Sequence, residues 1–546
     1  MLGIDLGTSQ LKALLCTPDG TVLGRGVAAY GIQTSAADHA ETDPGEWWRA
    51  AGTAVRDALA QASGTGEIAT TGQTADRTEA GGSASAAEVI GLGVAGQMHG
   101  VVLADERGEA LRPAVLWLDH RSAAEAAEYQ RLPEHLRSAL GNPPSPGMAG
   151  PILLWLTWHE PRSCRRARWA LQPKDWLRMR LTGDAATDPT DASGTLLFDI
   201  DRDEWALDVI RRLGIPGGLL PPLRQPAEIA GRLSAGAAAH LGLRPGLPVA
   251  VGAADTAASL AAAGLPAVGW GLLTLGTGGQ WVVPVADRSP DPAGRTNLFR
   301  AVDRGAAAIG EGAAARGGAA ARGGAAARGG AAAPGEAAAR GAALYRLAAV
   351  QNAGAVLDWV RNTLGATWDD LYATAARPWR DDAPLFLPYL AAERWGHAAG
   401  GAWTGLSLGH QKEDLLRAAL EGVAFLLRER LEDLAVAGTR PRNVLIAGGG
   451  TEHPEWRGLL ADTLRVPLHP AATSWLSARG AALIAAMATG VLPGWDATAR
   501  SVPRSQAEVP AGQPRAAGSG AAAERGRVAE ARYGRFRQLG RRYGGS

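Results

Sequence analysis

The chain has 546 residues, of which 46% are hydrophobic and 20% charged, so it has enough apolar material for more than one folded domain. Its 55 basic and 54 acidic residues give a formal charge of +1, which provides no overall attraction to nucleic acid or to an anionic membrane. We expect no signal peptide from its first residues and no membrane span, because no apolar stretch is long enough, and it has too few cysteines for a disulfide framework. These features predict a cytoplasmic α/β protein in a reducing compartment.

The N-terminal region reads as a β-meander followed by a helix. Apolar runs at Met1–Leu6, Leu11–Cys16 and Thr21–Gly24 are separated by short turn sequences, as expected for antiparallel strands. Helical spacing of apolar residues covers Trp47–Ala62. Asp43 precedes a proline there, which is a typical N-cap followed by proline in the first turn.

Two segments of low complexity interrupt the first two thirds of the chain. Residues 63–86 are rich in Gly, Ala, Ser and Thr, and we expect a surface insertion there. Strands are then predicted at Val89–Val94 and Val101–Ala104. Residues 305–343 repeat Gly-Gly-Ala-Ala-Ala-Arg with few large apolar side chains, which predicts a second loop-like insertion.

The last third alternates predicted helices with a strand, the pattern of an α/β fold. A strand is predicted at Asn443–Ala447. Helical periodicity covers Tyr345–Leu364, Asp414–Leu434, Trp456–Leu464 and Ala478–Ala488. The Arg, Ala and Gly-rich tail is expected to be loose at first and helical near residues 523–539.

Four glycine-containing turns follow predicted strands, at residues 5–9, 96–100, 276–279 and 448–450. Glycine allows a close approach to phosphate, and nearby hydroxyl and N–H groups can donate to it. None of the turns is a P-loop, and the letters Gly-x-Gly-x-x-Gly at Gly91–Gly96 fall inside a predicted strand. Each turn alone is weak evidence and is better explained as a simple hairpin. Together they match phosphotransferases built like actin and the sugar kinases.

Longer runs make the resemblance specific. The sequence resembles the FGGY family of carbohydrate kinases, and within it most of all the xylulokinase branch. The most discriminating runs are Gln97–Gly100 and Asp191–Thr195. Further matching runs are Gly3–Ser9, Glu41–Pro44, Leu116–Ser122, Pro173–Leu177, Leu181–Gly183, Gly276–Thr277, Gly405–Leu406, Ala418–Glu421 and Gly448–Gly450.

The resemblance implies two actin-like (ribonuclease H-like) ATPase domains with an interdomain cleft. The expected sugar-binding domain covers residues 1–254, the nucleotide-binding domain residues 255–500, and the tail residues 501–546. The implied reaction is phosphorylation of D-xylulose to D-xylulose 5-phosphate with ATP and Mg²⁺. Nucleic acid and membranes are not expected as partners, and a homodimer is compatible with the sequence.

The resemblance also assigns roles to residues. Asp255 is the expected general base, and the alternative is that it only caps the helix that follows. Asp5 is the expected Mg²⁺ ligand, and the alternative is a buried strand-end carboxylate. The expected sugar contacts are Gln97, Met98, His99, Asp119 and Asp255, although Asp119 is almost as well explained by surface pairing with Arg121. The expected nucleotide contacts are Thr8, Ser9, Lys12, Gly276, Thr277, Gly278, Gly354, Gly448 and Gly449.

One departure from the family pattern lies at the expected base. Ala253, Ala254 and Thr256 flank Asp255, where relatives usually have glycines and an asparagine. Three other functions stay open: phosphorylation of ribulose, gluconate or a sugar alcohol, a non-catalytic sugar sensor, and an actin- or chaperone-like ATPase.

Overall fold

A computed structural model describes residues 1–36, 38–64, 88–264, 269–286, 288, 291, 293–302, 344–391, 393, 400–494 and 519–543. Nearly all of the first expected insertion, all of the second, and residues 501–518 of the tail lie outside this range. The chain forms two compact units. Unit 1 contains Met1–Pro266, Leu298–Tyr345 and Trp475–Val502, and unit 2 contains Ala267–Asn297, Arg346–Ser474 and Pro503–Ser546.

The strands are short. In chain order they are β1 Leu2–Leu6, β2 Gln10–Cys16, β3 Val22–Ala29, β4 Glu41–Thr42, β5 Leu92–Gly96, β6 Val102–Ala104, β7 Ala114–Val115, β8 Trp169–Leu171, β9 Phe198–Asp199, β10 Glu204–Trp205, β11 Ile229–Arg232, β12 Pro248–Ala250, β13 Ala253–Ala254, β14 Trp270–Leu275, β15 Gly279–Val285, β16 Asn297–Arg300, β17 Leu344–Val350, β18 Leu385–Leu387, β19 Ala402–Thr404, β20 Asn443–Ala447 and β21 Leu468–Pro470.

The helices are longer in the second half of the chain. They are α1 Pro44–Ala62, α2 Ala123–Glu128, α3 Glu134–Ala139, α4 Ala149–His159, α5 Pro161–Arg166, α6 Pro173–Thr182, α7 Pro189–Ala192, α8 Leu207–Leu213, α9 Ala235–Leu241, α10 Asp255–Ala262, α11 Gly354–Thr363, α12 Trp368–Ala373, α13 Lys412–Val436, α14 Pro454–Leu464, α15 Leu476–Ala488 and α16 Ser519–Tyr543. Among the residues described, none of these helices is both long and apolar enough to cross a membrane.

The main sheet of unit 1 has the strand order β11-β12-β5-β1-β2-β3, and β13 also pairs with β5. The hairpin β1-β2 is antiparallel, with Leu6 opposite Leu11, and β1 runs parallel to β5, with Leu6 opposite Gly96. Strand β13 is also parallel to β5, with Ala254 opposite Gly96. The carboxyl ends of β1, β5 and β13 therefore lie at one edge of the sheet.

The second sheet repeats this arrangement with the order β16-β17-β15-β14-β20-β21. An antiparallel hairpin, β14-β15, again places its first strand parallel to a later strand, because Trp270 pairs with Asn443 and Thr274 with Ala447. The carboxyl ends of β14 and β20 therefore share an edge, as the ends of β1 and β5 do in unit 1.

Each unit has its own hydrophobic core. In unit 1, Ile4 and Val94 of the sheet pack with Trp47 of α1. In unit 2, Trp281 and Phe425 belong to one buried cluster with Trp456. The helix predicted at Trp47–Ala62 is confirmed as α1, and the Asp43 carboxylate accepts a hydrogen bond from Gly45 N at 2.9 Å.

The prediction of one helix over Tyr345–Leu364 is wrong in its first half. Leu344–Val350 is strand β17, and α11 begins only at Gly354. Nearly every residue of β17 is buried. A strand that is buried on both faces loses the alternation of apolar and polar residues, so its sequence can be mistaken for part of a helix.

Candidate active site

Three of the predicted site segments, one for phosphate, one for the sugar and one for the general base, lie together at one edge of the unit 1 sheet. The turn after Leu6, the run from Gln97 to His99, and Asp255 each follow the carboxyl end of β1, β5 or β13. In α/β sheets, ligands commonly bind where the carboxyl ends of parallel strands meet. The topology of unit 1 thus brings these segments to a position suited to ligand binding.

Asp255 is the first residue of α10, and Ala254 occupies the N-cap position. One carboxylate oxygen of Asp255 accepts hydrogen bonds from the backbone N of Thr256 at 2.6 Å and from its hydroxyl at 3.1 Å. The side chain is half-buried, and burial together with the Asp5 carboxylate raises its pKa to about 7. The alternative that Asp255 only caps the following helix is met in one respect, because its carboxylate accepts a bond from a backbone N–H of the first turn. It differs in another, because Asp255 is the first helical residue and Ala254 is the N-cap.

Asp5 and Lys12 face each other across the β1-β2 hairpin. Burial raises the pKa of the Asp5 carboxyl, and the Lys12 cation opposes that shift. The Lys12 ammonium also lies 5.6 Å from the centre of the Trp475 ring, within the range of a cation–π interaction. The hairpin therefore carries an acidic and a basic group beside its turn.

The turn between β1 and β2 is closed by Gly7 N, which donates to Gln10 O at 3.1 Å. Trp117 Nε1 donates to the Thr8 hydroxyl oxygen at 2.9 Å, whereas Ser9 is exposed. Gln97 Nε2 donates to Gly7 O at 3.1 Å. This last bond connects the predicted phosphate turn to the predicted sugar-site run.

His99 is held in an uncommon backbone conformation, with φ of +74°. Its backbone N donates to Gln172 Oε1 at 2.9 Å, and its ring Nδ1 lies 2.6 Å from Gly194 O. A carbonyl oxygen only accepts, so we assign the hydrogen to Nδ1. A non-glycine residue with positive φ, fixed by such contacts, is frequent at functional sites.

Two aromatic residues that the sequence did not single out pack beside His99. The ring centre of Phe299 is 5.8 Å from that of His99 and 5.6 Å from that of Tyr345. The Tyr345 hydroxyl lies 3.8 Å from Met98 Sδ, and Met98 is buried. The Met98–His99 segment is therefore enclosed by aromatic side chains of unit 1.

Asp119 is fully buried and pairs with Arg121. Its carboxylate accepts from Arg121 Nη2 at 2.8 Å and from Ala40 N at 2.6 Å, while Arg121 also contacts Glu41 at 2.6 Å. The alternative that Asp119 pairs with Arg121 is thus observed, but the pair lies in the interior rather than at the surface.

In unit 2, the predicted nucleotide turns also come together at a strand-end edge. Gly276 follows β14 and Gly448 follows the parallel strand β20. A Cβ atom at Gly354 would lie 2.0 Å from Gly276 O, and Ala355 N donates to Thr277 O at 2.8 Å. Gly448 has φ of +100°, a conformation that strongly favours glycine. Gly278 and Gly449 belong to the same two turns.

Glu393 supports this group of turns and was missed by the sequence analysis. Its carboxylate accepts from Gln351 N at 3.0 Å and from the side-chain amide of Asn352 at 2.8 Å. These bonds fix the segment that leads into Gly354. Glu393 is separated from Asn352 by 41 residues, and no local motif marks it.

The residues described contain no group of three or more His, Cys, Asp or Glu side chains suited to bind a metal ion. Both cysteines, Cys16 and Cys164, are free and buried.

Each unit repeats a hairpin and a parallel strand, with glycine turns at the strand-end edge, and the edge of unit 1 also carries the Asp255 carboxyl. The chain is therefore a two-domain α/β protein. The chain matches the N-terminal domain of the FGGY family of carbohydrate kinases over residues 1–262 and the C-terminal domain over residues 331–489. It belongs to this family and is a carbohydrate kinase.

Among curated proteins, the chain is 30% identical to the xylulose kinase of Escherichia coli (strain K12) over 466 residues, which cover 84% of each chain. Among solved structures, it is similar to the xylulose kinase of Rhodospirillum rubrum, with a TM-score of 0.75, 27% identity, and coverage of 98% of this chain and 97% of the other. It shares the fold of a gluconate kinase from Lactobacillus acidophilus, with a TM-score of 0.77, 21% identity, and coverage of 100% and 98%.

Proposed function

We propose that the protein phosphorylates D-xylulose at its terminal hydroxyl, with ATP as phosphoryl donor and Asp255 as general base. The observation that carries this proposal is the half-buried Asp255 carboxyl with a pKa near 7, at the strand edge that also holds Met98 and His99. The choice of sugar is supported by the similarity to proteins named xylulose kinase.

In the proposed reaction, the sugar hydroxyl donates its proton to the Asp255 carboxylate while its oxygen bonds to the terminal phosphorus of ATP. The bond from that phosphorus to the oxygen of ADP breaks, and ADP leaves. Phosphoryl transfer depends mainly on positioning and charge stabilisation, and a base near the nucleophile removes the proton. Asp255 is well suited because a pKa near 7 leaves it partly ionised at neutral pH.

The sugar contacts are assigned to Gln97, Met98, His99 and Asp119. Asp119 already accepts bonds from Arg121 and Ala40. The nucleotide contacts are assigned to Thr8, Ser9 and Lys12 of unit 1 and to the glycine turns of unit 2.

Asp5 is the residue that would hold Mg²⁺, which when bound offsets the negative charge of the phosphates. The fit is favourable because the Asp5 charge raises the pKa of Asp255, so a cation here would relieve repulsion between the carboxylates. Mg²⁺ is commonly bound through one or two carboxylates together with substrate phosphates.

The proposal is tested by a coupled ADP-release assay with D-xylulose, D-ribulose, D-gluconate, xylitol and glycerol. We expect the highest kcat/KM with D-xylulose. A second sugar with a higher kcat/KM would reassign the substrate, because a few pocket side chains decide specificity. ADP release that is no faster with any of them than with water would overturn the proposed reaction.

A further inference from the structure

A fully buried group of charges lies in unit 1 behind the strand edge that carries Asp255. The Lys174 ammonium contacts carboxylate oxygens of Asp175 at 2.6 Å, Asp188 at 2.8 Å and Asp191 at 3.2 Å. Arg178 contacts Asp175 at 2.7 Å. None of these side chains is exposed to solvent. Charges so deeply buried are costly unless they are paired, and the pairs fix the geometry of the backbone that carries them.

Thr190 links this charged group to a backbone amide outside it. The backbone N of Thr190 donates to Asp188 Oδ2 at 2.8 Å, and the Thr190 hydroxyl donates to the same oxygen. The hydroxyl oxygen in turn accepts a hydrogen bond from Ala254 N at 2.9 Å. Thr190 is fully buried, so its hydroxyl is positioned by Asp188 without competition from water.

The backbone amide that donates to the Thr190 hydroxyl belongs to Ala254, the residue directly before Asp255. Ala254 pairs with Gly96 in the sheet and is the N-cap residue of α10, and Asp255 begins that helix. The sheet and Thr190 therefore fix the backbone of Ala254 from two directions. Asp255 is the next residue in the chain, so the direction of its carboxylate depends on how the backbone of Ala254 is held.

The chain segment that begins α6 and carries Lys174 also lies against the His99 turn. A Cβ atom at Gly96 would lie only 3.0 Å from Lys174 Cβ, which shows how closely α6 approaches this strand end. Gln172, which precedes α6, accepts the hydrogen bond from His99 N. The start of α6 therefore contacts the strand end and the turn that carry Met98 and His99.

We propose that Thr190 is a positioning residue for Asp255, acting through Ala254 N, with Lys174 and Asp188 holding its hydroxyl in place. This inference rests on the proposed function, since it concerns the orientation of the proposed base. Thr190 itself makes no contact with substrate in this account.

The test compares Thr190→Val, which removes the hydroxyl at nearly constant volume, with Thr190→Ser, which keeps it. We expect Thr190→Val to lower kcat by about 10- to 100-fold, since small errors in the position of a catalytic group have effects of this size. The KM for D-xylulose should change less than about threefold, because the sugar keeps its other contacts. Thr190→Ser should restore kcat to within about threefold of the parent.

Thr463→Val is the matched control. Thr463 is a buried threonine of unit 2 whose hydroxyl donates to Leu459 O of its own helix, at 2.8 Å. Its loss should lower the melting temperature without changing kcat. A purely structural role for Thr190 would likewise lower the melting temperature and leave the kcat of the folded enzyme unchanged.

The outcomes separate the inference from the function on which it rests. If Asp255→Asn is inactive but Thr190→Val retains the parental kcat, the positioning role is overturned and the proposed base survives. If Thr190→Val does not fold, the test falls to Thr190→Ser, which keeps the hydroxyl. A Thr190→Ser variant that melts like the parent but loses kcat overturns the inference, because the hydroxyl alone would then not position Asp255. If Asp255→Asn retains normal turnover, the base assignment fails, and the positioning role fails with it.

Discussion

The Asp255 carboxyl lies among groups that act on its pKa in opposite directions. Burial and the Asp5 carboxylate raise the pKa, while the N–H and hydroxyl of Thr256 lower it, and the result is about 7. A general base works best when its pKa is near the working pH. The hydrogen bonds from Thr256 thus keep the raised pKa of Asp255 within the useful range.

This environment predicts an acidic limb in the pH profile. Asp255 must be ionised to accept a proton, so kcat/KM for the sugar should fall tenfold per pH unit below its raised pKa, which drops below about 7 when Mg²⁺ at Asp5 offsets the repulsion between the carboxylates. Stopped assays between pH 5 and 9 at saturating nucleotide would measure it. A profile that stays flat down to pH 5 would contradict the raised pKa.

Asp191 offers a second pH-dependent prediction, on stability. Burial and the neighbouring carboxylates of Asp175 and Asp188 raise its pKa well above the ordinary value, although Lys174 opposes the shift. A carboxyl with a higher pKa in the folded state binds more protons there than when unfolded. The parent should therefore lose stability as the pH rises from about 4 towards the folded pKa. Asp191→Asn should remove that loss and flatten the dependence of melting temperature on pH.

Asp175→Asn is the contrasting variant in the same charged group. Burial opposes ionisation of Asp175, but Lys174 and Arg178 outweigh it and lower its pKa. Removal of this carboxylate takes one partner from Lys174 and the paired carboxylate from Arg178, and breaking a buried ion pair typically costs about 3–5 kcal/mol. Denaturant unfolding at pH 7 should find Asp175→Asn much less stable than Asp191→Asn. If Asp191→Asn were the less stable of the two variants, the assignment of the lower pKa to Asp175 and the higher pKa to Asp191 would be wrong.

Among the helices and strands, predictions from the sequence were most accurate where a capping residue or a helical spacing of apolar residues coincided with the face that the element buries. The Asp43 cap and helical spacing located α1, and α13, α14 and α15 begin within two residues of their predicted starts. The strand predicted at Val89–Val94 lies slightly later, at Leu92–Gly96. The wrong helix at Tyr345 arose because β17 is buried along nearly its whole length, and local periodicity does not distinguish such a strand from a buried helix.

The variant Gly354→Ala tests whether nucleotide binding depends on the close packing of the turns in unit 2. The added methyl group in Gly354→Ala would overlap Gly276 O, so the turn after β14 must move. We expect the KM for ATP to rise about tenfold or more, with little change in the KM for the sugar. Gly458→Ala is the control, because no atom lies within 4 Å of its added methyl group. An unchanged KM for ATP in Gly354→Ala would separate this turn from nucleotide binding.

The C-terminal helix α16 is more firmly packed than the composition of the tail suggests. The Arg532 side chain is fully buried and contacts Glu421 at 2.5 Å, and Tyr533 and Phe536 belong to the unit 2 core. Arg532→Ala should therefore destabilise unit 2 by about 3 kcal/mol or more, measured by denaturant unfolding. Arg535→Ala, which breaks an exposed pair with Asp381, should cost less than about 1 kcal/mol. Equal effects would mean that the Arg532 pair contributes no more than a surface pair.

At the scale of the whole chain, the two units repeat one strand order around a hairpin and a parallel strand. The glycine turns and the family resemblance were enough to predict this fold class and the segments at the two sheet edges. The supporting residues were not predictable. Thr190 and Ala254 are 64 residues apart, and Gln172 and His99 are 73 residues apart. Contacts over such distances depend on tertiary packing and leave no local pattern in the sequence.

The most direct measurement is the turnover of D-xylulose by Asp255→Asn beside the parent enzyme, with sugar binding followed by thermal shift. An amide cannot take up the hydroxyl proton, so kcat should fall about 10²- to 10⁴-fold while D-xylulose still raises the melting temperature of the variant. Turnover within a few-fold of the parent would contradict the account, because the proton would then be accepted elsewhere.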